Sequence, residues 1–229
     1  MTGQTVILLG INDFEQMFDH IVRHREDSFV IPIDRKRFMT TATQPAGTEK
    51  YVSFSADINP TTAEVLIQVM SNLANQGVSK VSLLLSTGGG SVMHGMNIYN
   101  VLKALPFELH IYNVGNIDSI GNVIFQAGSK RFASPQSTFL FHGVGAPPTT
   151  DFTTELALTE RLNGVKADQE RITEILESRT TMPHAEIDDL FLRSKTKNAP
   201  QALSDGIVDE IKDPQVPTGV EVIALAFPR

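Results

Sequence analysis

Three stretches carry residue types that could do chemistry together. Ser119 stands in Val114-Gly115-Asn116-Ile117-Asp118-Ser119-Ile120-Gly121-Asn122, after the strand-like run 109–114 and before apolar Val123-Ile124-Phe125. A strand, a turn bracketed by glycines and then a helix is the geometry that lifts a serine hydroxyl clear of the backbone. The local pattern is not G-x-S-x-G, so on its own the better reading is a helix N-cap serine. Gly88-Gly89-Gly90 follows the apolar run 81–85, and His142 ends the run 137–141. A serine attacks a carbonyl only when a base takes its proton, and histidine is the usual base. The oxygen of the tetrahedral intermediate then needs donors. N–H groups of a glycine turn can supply them because no Cβ blocks approach, and Ile120, directly after the serine, is placed to give a second. The glycine triplet lacks the lysine of a P-loop and the spacing G-x-G-x-x-G, which argues against a phosphate cradle. A lone histidine is more often structural, but the three features in this order are more specific than any one of them.

The elements that must position these residues follow from periodicity. Tyr51 to Ser55 alternates as a strand does. Asn59-Pro60 starts a helix, with Asn59 as N-cap and Pro60 at the first helical position. Val65, Leu66, Val69, Met70 and Leu73 share one face of it, and it ends near Gly77. Val81 to Leu85 is apolar but for Ser82, as in a strand buried on both sides of a parallel sheet. A helix with Met96, Ile98, Val101, Leu102 and Leu105 leads to the strand 109–114, then to the Ser119 turn and its helix, then to the strand 137–141. The order β-α-β-α-β-α-β predicts parallel strands joined by crossovers. The glycine turn, Ser119 and His142 should therefore share the carboxyl edge of one sheet, where open α/β sheets place their sites.

The flanks differ. Residues 1–48 form an N-terminal extension in which Phe14, Met17, Phe18, Ile21 and Val22 suggest a short amphipathic helix. His20 and His24 are four apart, yet no H-E-x-x-H pattern accompanies them, so a solvated face is the better reading than a metal site. Residues 40–50 read as a linker. The main domain is expected over 49–212, with a C-terminal tail over 213–229 that adds a late strand to a sheet edge. Residues 153–180 form a long helix, too charged to be purely a core helix, that projects toward a partner subunit. The 229 residues carry a formal net charge of -7 and no cysteine. Disulfides, Cys-based zinc sites and thiol catalysis are thus excluded, a nucleic-acid surface is disfavoured, and no apolar run is long enough to span a membrane. A cytoplasmic location is expected.

Read together, Ser86-Thr87-Gly88-Gly89-Gly90-Ser91-Val92, Gly95-Met96-Asn97-Ile98-Tyr99, Gly115 to Gly121, Ala127 to Pro135, Phe141-His142, Ala199-Pro200-Gln201-Ala202 and Asp205 to Ile211 resemble the proteolytic subunit of Clp protease. The resemblance spans roughly residues 50–212. It implies an α/β fold of the crotonase-like superfamily, with a parallel sheet flanked by helices, and a serine peptidase acting on unfolded polypeptides. Ser119 would be the nucleophile and His142 the base, with the N–H groups of Gly90 and Ile120 as oxyanion hole. Residues 153–180 would be the handle helix by which rings interlock around a chamber. An AAA+ unfoldase ATPase would feed the chamber, and no cofactor or metal is implied. Two positions depart from the family pattern. Its triad aspartate falls, by count from Ala199, on Ser194; Asp188 and Asp189 are the nearest acids, and Asp189 is the expected third member. Asp118 stands beside the nucleophile where the family carries a small residue. It would either add charge near the oxyanion or point away and anchor the turn. The alternatives are a non-catalytic or weakly active ring subunit that assembles with itself or an active paralogue, and a crotonase-type acyl-CoA enzyme.

Overall fold

The structure, a computed structural model, describes residues 49–146 and 152–227. The amphipathic segment 14–22, the His20/His24 pair and most of the 40–50 linker lie outside the described residues. Glu49 and Lys50, read with that linker, belong instead to the first strand, β1 (Glu49–Ser55). Glu49 is held there by Ser82 Oγ at 2.8 Å and Lys80 Nζ at 3.2 Å on the neighbouring strand.

Helix α1 (Pro60–Asn75) begins as its sequence dictates. Asn59 Oδ1 accepts from Thr62 N–H and Thr62 Oγ1 accepts from Asn59 N–H, both at 3.0 Å. This reciprocal cap is worth about 1 kcal/mol. Leu66, Met70 and Leu73 on its inner face are buried. β2 (Lys80–Thr87) follows, its Val81, Leu83 and Leu85 fully buried, then α2 (Val92–Ala104) and β3 (Glu108–Asp118). α3 (Gly121–Phe125) is short and buried throughout. β4 (Lys130–Ala133), β5 (Thr138–Leu140), α4 (Glu155–Arg179), α5 (His184–Arg193), β6 (Thr196–Asn198), α6 (Ala199–Ser204), β7 (Glu210–Ile211) and β8 (Val222–Leu225) complete the order.

The strands form one sheet in the order β6-β5-β3-β2-β1-β8, with β4 beside β3 and β7 beside β4. All pairs are parallel except β5 with β6. The fold is thus a mixed α/β layer structure, its sheet flanked by helices. The tail strand expected at an edge is β8, which pairs with β1. α4 runs 25 residues with Thr154 as its N-cap, and only Ile172, Thr173 and Leu176 on it are buried.

Two sequence expectations need correction. β3 does not stop at Val114 before a long turn. Its register against β2 shifts between Leu85 and Thr87, and the strand then continues through Gly115 and Asn116 to Asp118. The continuation has its own partner, with Asn116, Ile117 and Asp118 pairing with Thr138, Phe139 and Leu140. The second correction is that α3 leads first to β4, which pairs with His110 to Asn113 on the earlier part of β3. β4 and β5 share one side of one long strand, so a few residues suffice to join them.

A buried cation ties the layers together. Arg131 on β4 donates from Nη2 to Asp209 Oδ1 at 2.7 Å and from its backbone N–H to Asp209 Oδ2 at 2.8 Å. Its Nη1 donates to Gln126 Oε1 and to the Arg179 carbonyl at the end of α4. Arg179 in turn donates to the carbonyls of Gln126 and Gly128, past the end of α3. Partial burial alone would raise the Asp209 carboxyl, but the hydrogen bonds and charge of Arg131 outweigh it and hold it below the ordinary carboxylate range. A depressed folded pKa stabilises above the unfolded value near 4 and is lost as pH falls through the folded one. Asp209→Asn is expected to cost about 3 kcal/mol at neutral pH, because Arg131 is left buried without its counter-charge. Denaturant unfolding across pH checks this: the gap between parent and variant should close as the pH drops below about 4.

Candidate active site

β2 and β5 each pair with β3 in parallel, so Gly88 to Gly90, Ser119 and His142 all emerge from the same sheet edge. Gly90, Ser119 and His142 line one cleft of about 230 Å³ with Ile120 and the apolar Val92, Val144, Ile172 and Phe191. Four of the five residues expected to carry chemistry are therefore brought together: Gly90, Ser119, Ile120 and His142. Asp189 is not among the lining residues.

Ser119 adopts φ 57, a left-handed conformation that a non-glycine residue takes only when its surroundings enforce it. The enforcement is visible. Its N–H donates to the Leu140 carbonyl at 2.9 Å, and its own carbonyl accepts from Asn122 N–H at 3.1 Å. Gly89 packs directly beneath: a Cβ there would lie 2.6 Å from Ser119 Cβ and 2.8 Å from the Asp118 carbonyl. The glycine turn is held by Ile58, whose N–H donates to the Gly89 carbonyl and whose carbonyl accepts from Ser91 N–H at 2.8 Å. In that parallel bridge the Gly90 N–H is left out of the ladder and turned to the opposite side. Ile120 lies at the N-terminus of α3, where N–H groups have no helical acceptor.

Asp118 turns away from this arrangement. Its Oδ2 accepts from Asn116 Nδ2 at 2.8 Å, and the same amide group donates to the Thr87 carbonyl at 3.3 Å. Thr87 Oγ1 accepts from Gly89 N–H at 3.1 Å. Of the two roles open to Asp118, the bonding supports the anchor: it braces the turn against the glycine segment.

His142 is exposed, and its Nδ1 pairs with the Gly143 carbonyl at 2.8 Å. A carbonyl only accepts, so Nδ1 is the donor and Nε2 is the ring nitrogen left for another partner. The residues on either side of it are pinned to the end of α5: Phe141 N–H donates to the Lys195 carbonyl at 2.9 Å, and Gly143 N–H to the Phe191 carbonyl at 3.1 Å. Ser194 lies between those anchors, in the left-handed C-cap of α5 with φ 50. Asp189 is engaged elsewhere, receiving Arg193 Nε on Oδ1 at 2.5 Å and Lys195 Nζ on Oδ2 at 2.6 Å. The hydrogen bonds from Lys195 and Arg193 hold its carboxyl below the ordinary range.

Several positions escaped sequence reasoning. Asn122, three residues after the serine, is a buried amide in an otherwise apolar helix, and that polarity was its signal. Asn116 and Thr87 gave none, since a cross-strand amide bond has no local pattern. Among the described residues no cluster of three histidines or acids could hold a metal, and no helix is long and apolar enough to cross a membrane.

A serine on a left-handed turn, a glycine turn packed beside it and a histidine leaving the adjacent parallel strand, all at one sheet edge, are together the layout of an α/β serine hydrolase. The family model described as Clp protease matches residues 34–215. ATP-dependent Clp protease proteolytic subunit 1 of Mycobacterium bovis and that of Mycobacterium tuberculosis are each 27% identical over 166 residues, covering 71% of this chain and 82% of theirs. A substituted ClpP1 from Listeria monocytogenes superposes with a TM-score of 0.66 at 20% identity, over 72% of this chain and 92% of that one, and so shares the fold. The chain belongs to the Clp protease family.

Proposed function

We propose that the protein is a serine-type endopeptidase subunit of the Clp proteolytic type. The observation that carries the reading is that Ser119, held at φ 57, shares one cleft with His142, Gly90 and Ile120. Ser119 Oγ attacks the peptide carbonyl while His142 Nε2 takes its proton. The negative oxygen rests on the two N–H groups, the amine leaves with the proton from His142, and water releases the acyl group by the same route. The apolar lining suits a bulky apolar side chain next to the cleaved bond.

Assembly completes the site's setting. Leu156, Leu158 and Leu162 on α4 are each more than half exposed, as is Phe152 just before it. A helix carrying that much exposed apolar surface suits burial against another copy, and a ring of such subunits would enclose the clefts in a chamber. Polypeptide delivered by an AAA+ unfoldase in the cytoplasm would be the substrate.

A fluorophosphonate tests the reading on the assembled protein. Covalent label is expected on Ser119 and is expected to vanish in Ser119→Ala; no label on the assembled parent refutes it. The pairing of His142 with a neutral carbonyl favours a second reading, a weakly active subunit that works beside an active paralogue. Strong cleavage of model peptides by this chain alone would rule that out.

A further inference from the structure

We propose that Asn122 is a positioning residue for the nucleophile, clamping the Ser119 turn to the strand that carries His142; the inference rests on the peptidase reading above. Asn122 is 1% exposed inside α3, whose other side chains are apolar. Its Nδ2 donates to the Ser119 carbonyl at 3.1 Å and to the Leu140 carbonyl at 2.8 Å. Both partners only accept, so the amide can face only this way; flipped, its oxygen would meet two carbonyl oxygens. Leu140 ends β5 two residues before His142, and its carbonyl also accepts the Ser119 N–H. One side chain thus joins the nucleophile's own carbonyl to the point where the base's strand leaves the sheet.

The residue is a costly choice for stability. Asn122 Oδ1 is buried with no partner among the described residues, and an orphaned buried acceptor is destabilising. An apolar side chain on this buried helix would avoid that. The two bonds it makes are also dispensable for the fold, because each carbonyl keeps a backbone donor without it: Asn122 N–H on Ser119 and Ser119 N–H on Leu140. What they add is a second restraint on a serine held at φ 57. Without it the turn can relax toward ordinary backbone, and a shift of about 1 Å at a nucleophile can cost on the order of 100-fold in rate.

The test compares parent, Asn122→Ala and Asn122→Ser as full-length assembled protein. It reads fluorophosphonate labelling rate, kcat and KM on a model peptide, and thermal midpoint. Asn122→Ala is expected to lose about tenfold or more in labelling rate and kcat, with KM held within about twofold and no matching fall in midpoint. Asn122→Ser, keeping one donor, should recover part of the rate. Labelling of Asn122→Ala at the parental rate overturns the inference and leaves the peptidase reading standing. If the alanine variant does not fold, the serine variant decides: slowed labelling at the parental midpoint supports the inference, and parental labelling overturns it. A parent that takes no label removes both.

Discussion

Ser194→Asp is expected to raise kcat on a model peptide about 100-fold, with little change in KM. In a serine triad the acid does two things: it fixes the histidine tautomer and it stabilises the imidazolium that forms. Here the Gly143 carbonyl at 2.8 Å from His142 Nδ1 already does the first. What a carbonyl cannot supply is the charge, so the gain should fall short of the roughly 10,000-fold that a wrong tautomer costs. The backbone is ready for the change. Ser194 sits at φ 50, where aspartate is among the better-tolerated residues. It lies between the Phe191 and Lys195 carbonyls that hold the two neighbours of His142. A carboxylate at the end of α5 opposes the helix dipole, but Arg193 and Lys195 stand next to it, and the net cost should be about 0.5 kcal/mol. The sign of the pH effect follows. A carboxylate near the ring favours the charged imidazolium, so the acidic limb of the kcat/KM profile should move to higher pH as kcat rises. A variant with parental kcat and an unmoved acidic limb would show that position 194 does not reach the histidine.

The sheet edge was legible because it is written in residue types. Runs rich in apolar residues marked β2 and β5, Asn59-Pro60 marked the start of α1, and parallel order then forced the glycine turn, Ser119 and His142 to one side. The course of β3 was not legible. Gly115 and Asn116 have turn composition, and the pairing of the segment with β5 and with Thr87 of β2, a long-range fact, carries the strand on to Asp118. β4 and β6 were hidden for a related reason: four residues with two leading cations, and three polar residues on an edge, show no periodicity. The hydrogen-bond partner of the His142 ring could not be read at all. A backbone carbonyl acts as acceptor at any residue, so Gly143 leaves no signature, whereas Asp189 had the right chemistry and is held by Arg193 and Lys195. Residue type locates groups that act through side chains. It is blind to those that act through the main chain.

The glycine turn is where that main-chain dependence can be measured. Gly90→Ala is expected to lower fluorophosphonate labelling and kcat about 100- to 1000-fold, the loss known for removing an oxyanion donor. Gly90 has φ 137, a conformation essentially confined to glycine. An added Cβ would overlap the Ile58 carbonyl, a backbone atom that cannot rotate aside. Something must then give, and the only soft element is the bridge in which Ile58 holds the Gly89 carbonyl and the Ser91 N–H. Releasing it swings the Gly90 N–H out of line and lifts Gly89 from beneath Ser119, so donor and nucleophile are lost together. Stability should fall by about 1–3 kcal/mol from strain at one residue, which leaves the sheet folded. Gly77→Ala is the matched control. It too has positive φ, at 72, but no atom lies within 4 Å of the added Cβ. It should share the strain and keep the activity. If the two variants lose activity equally, backbone strain and not the placement of the Gly90 N–H governs the site.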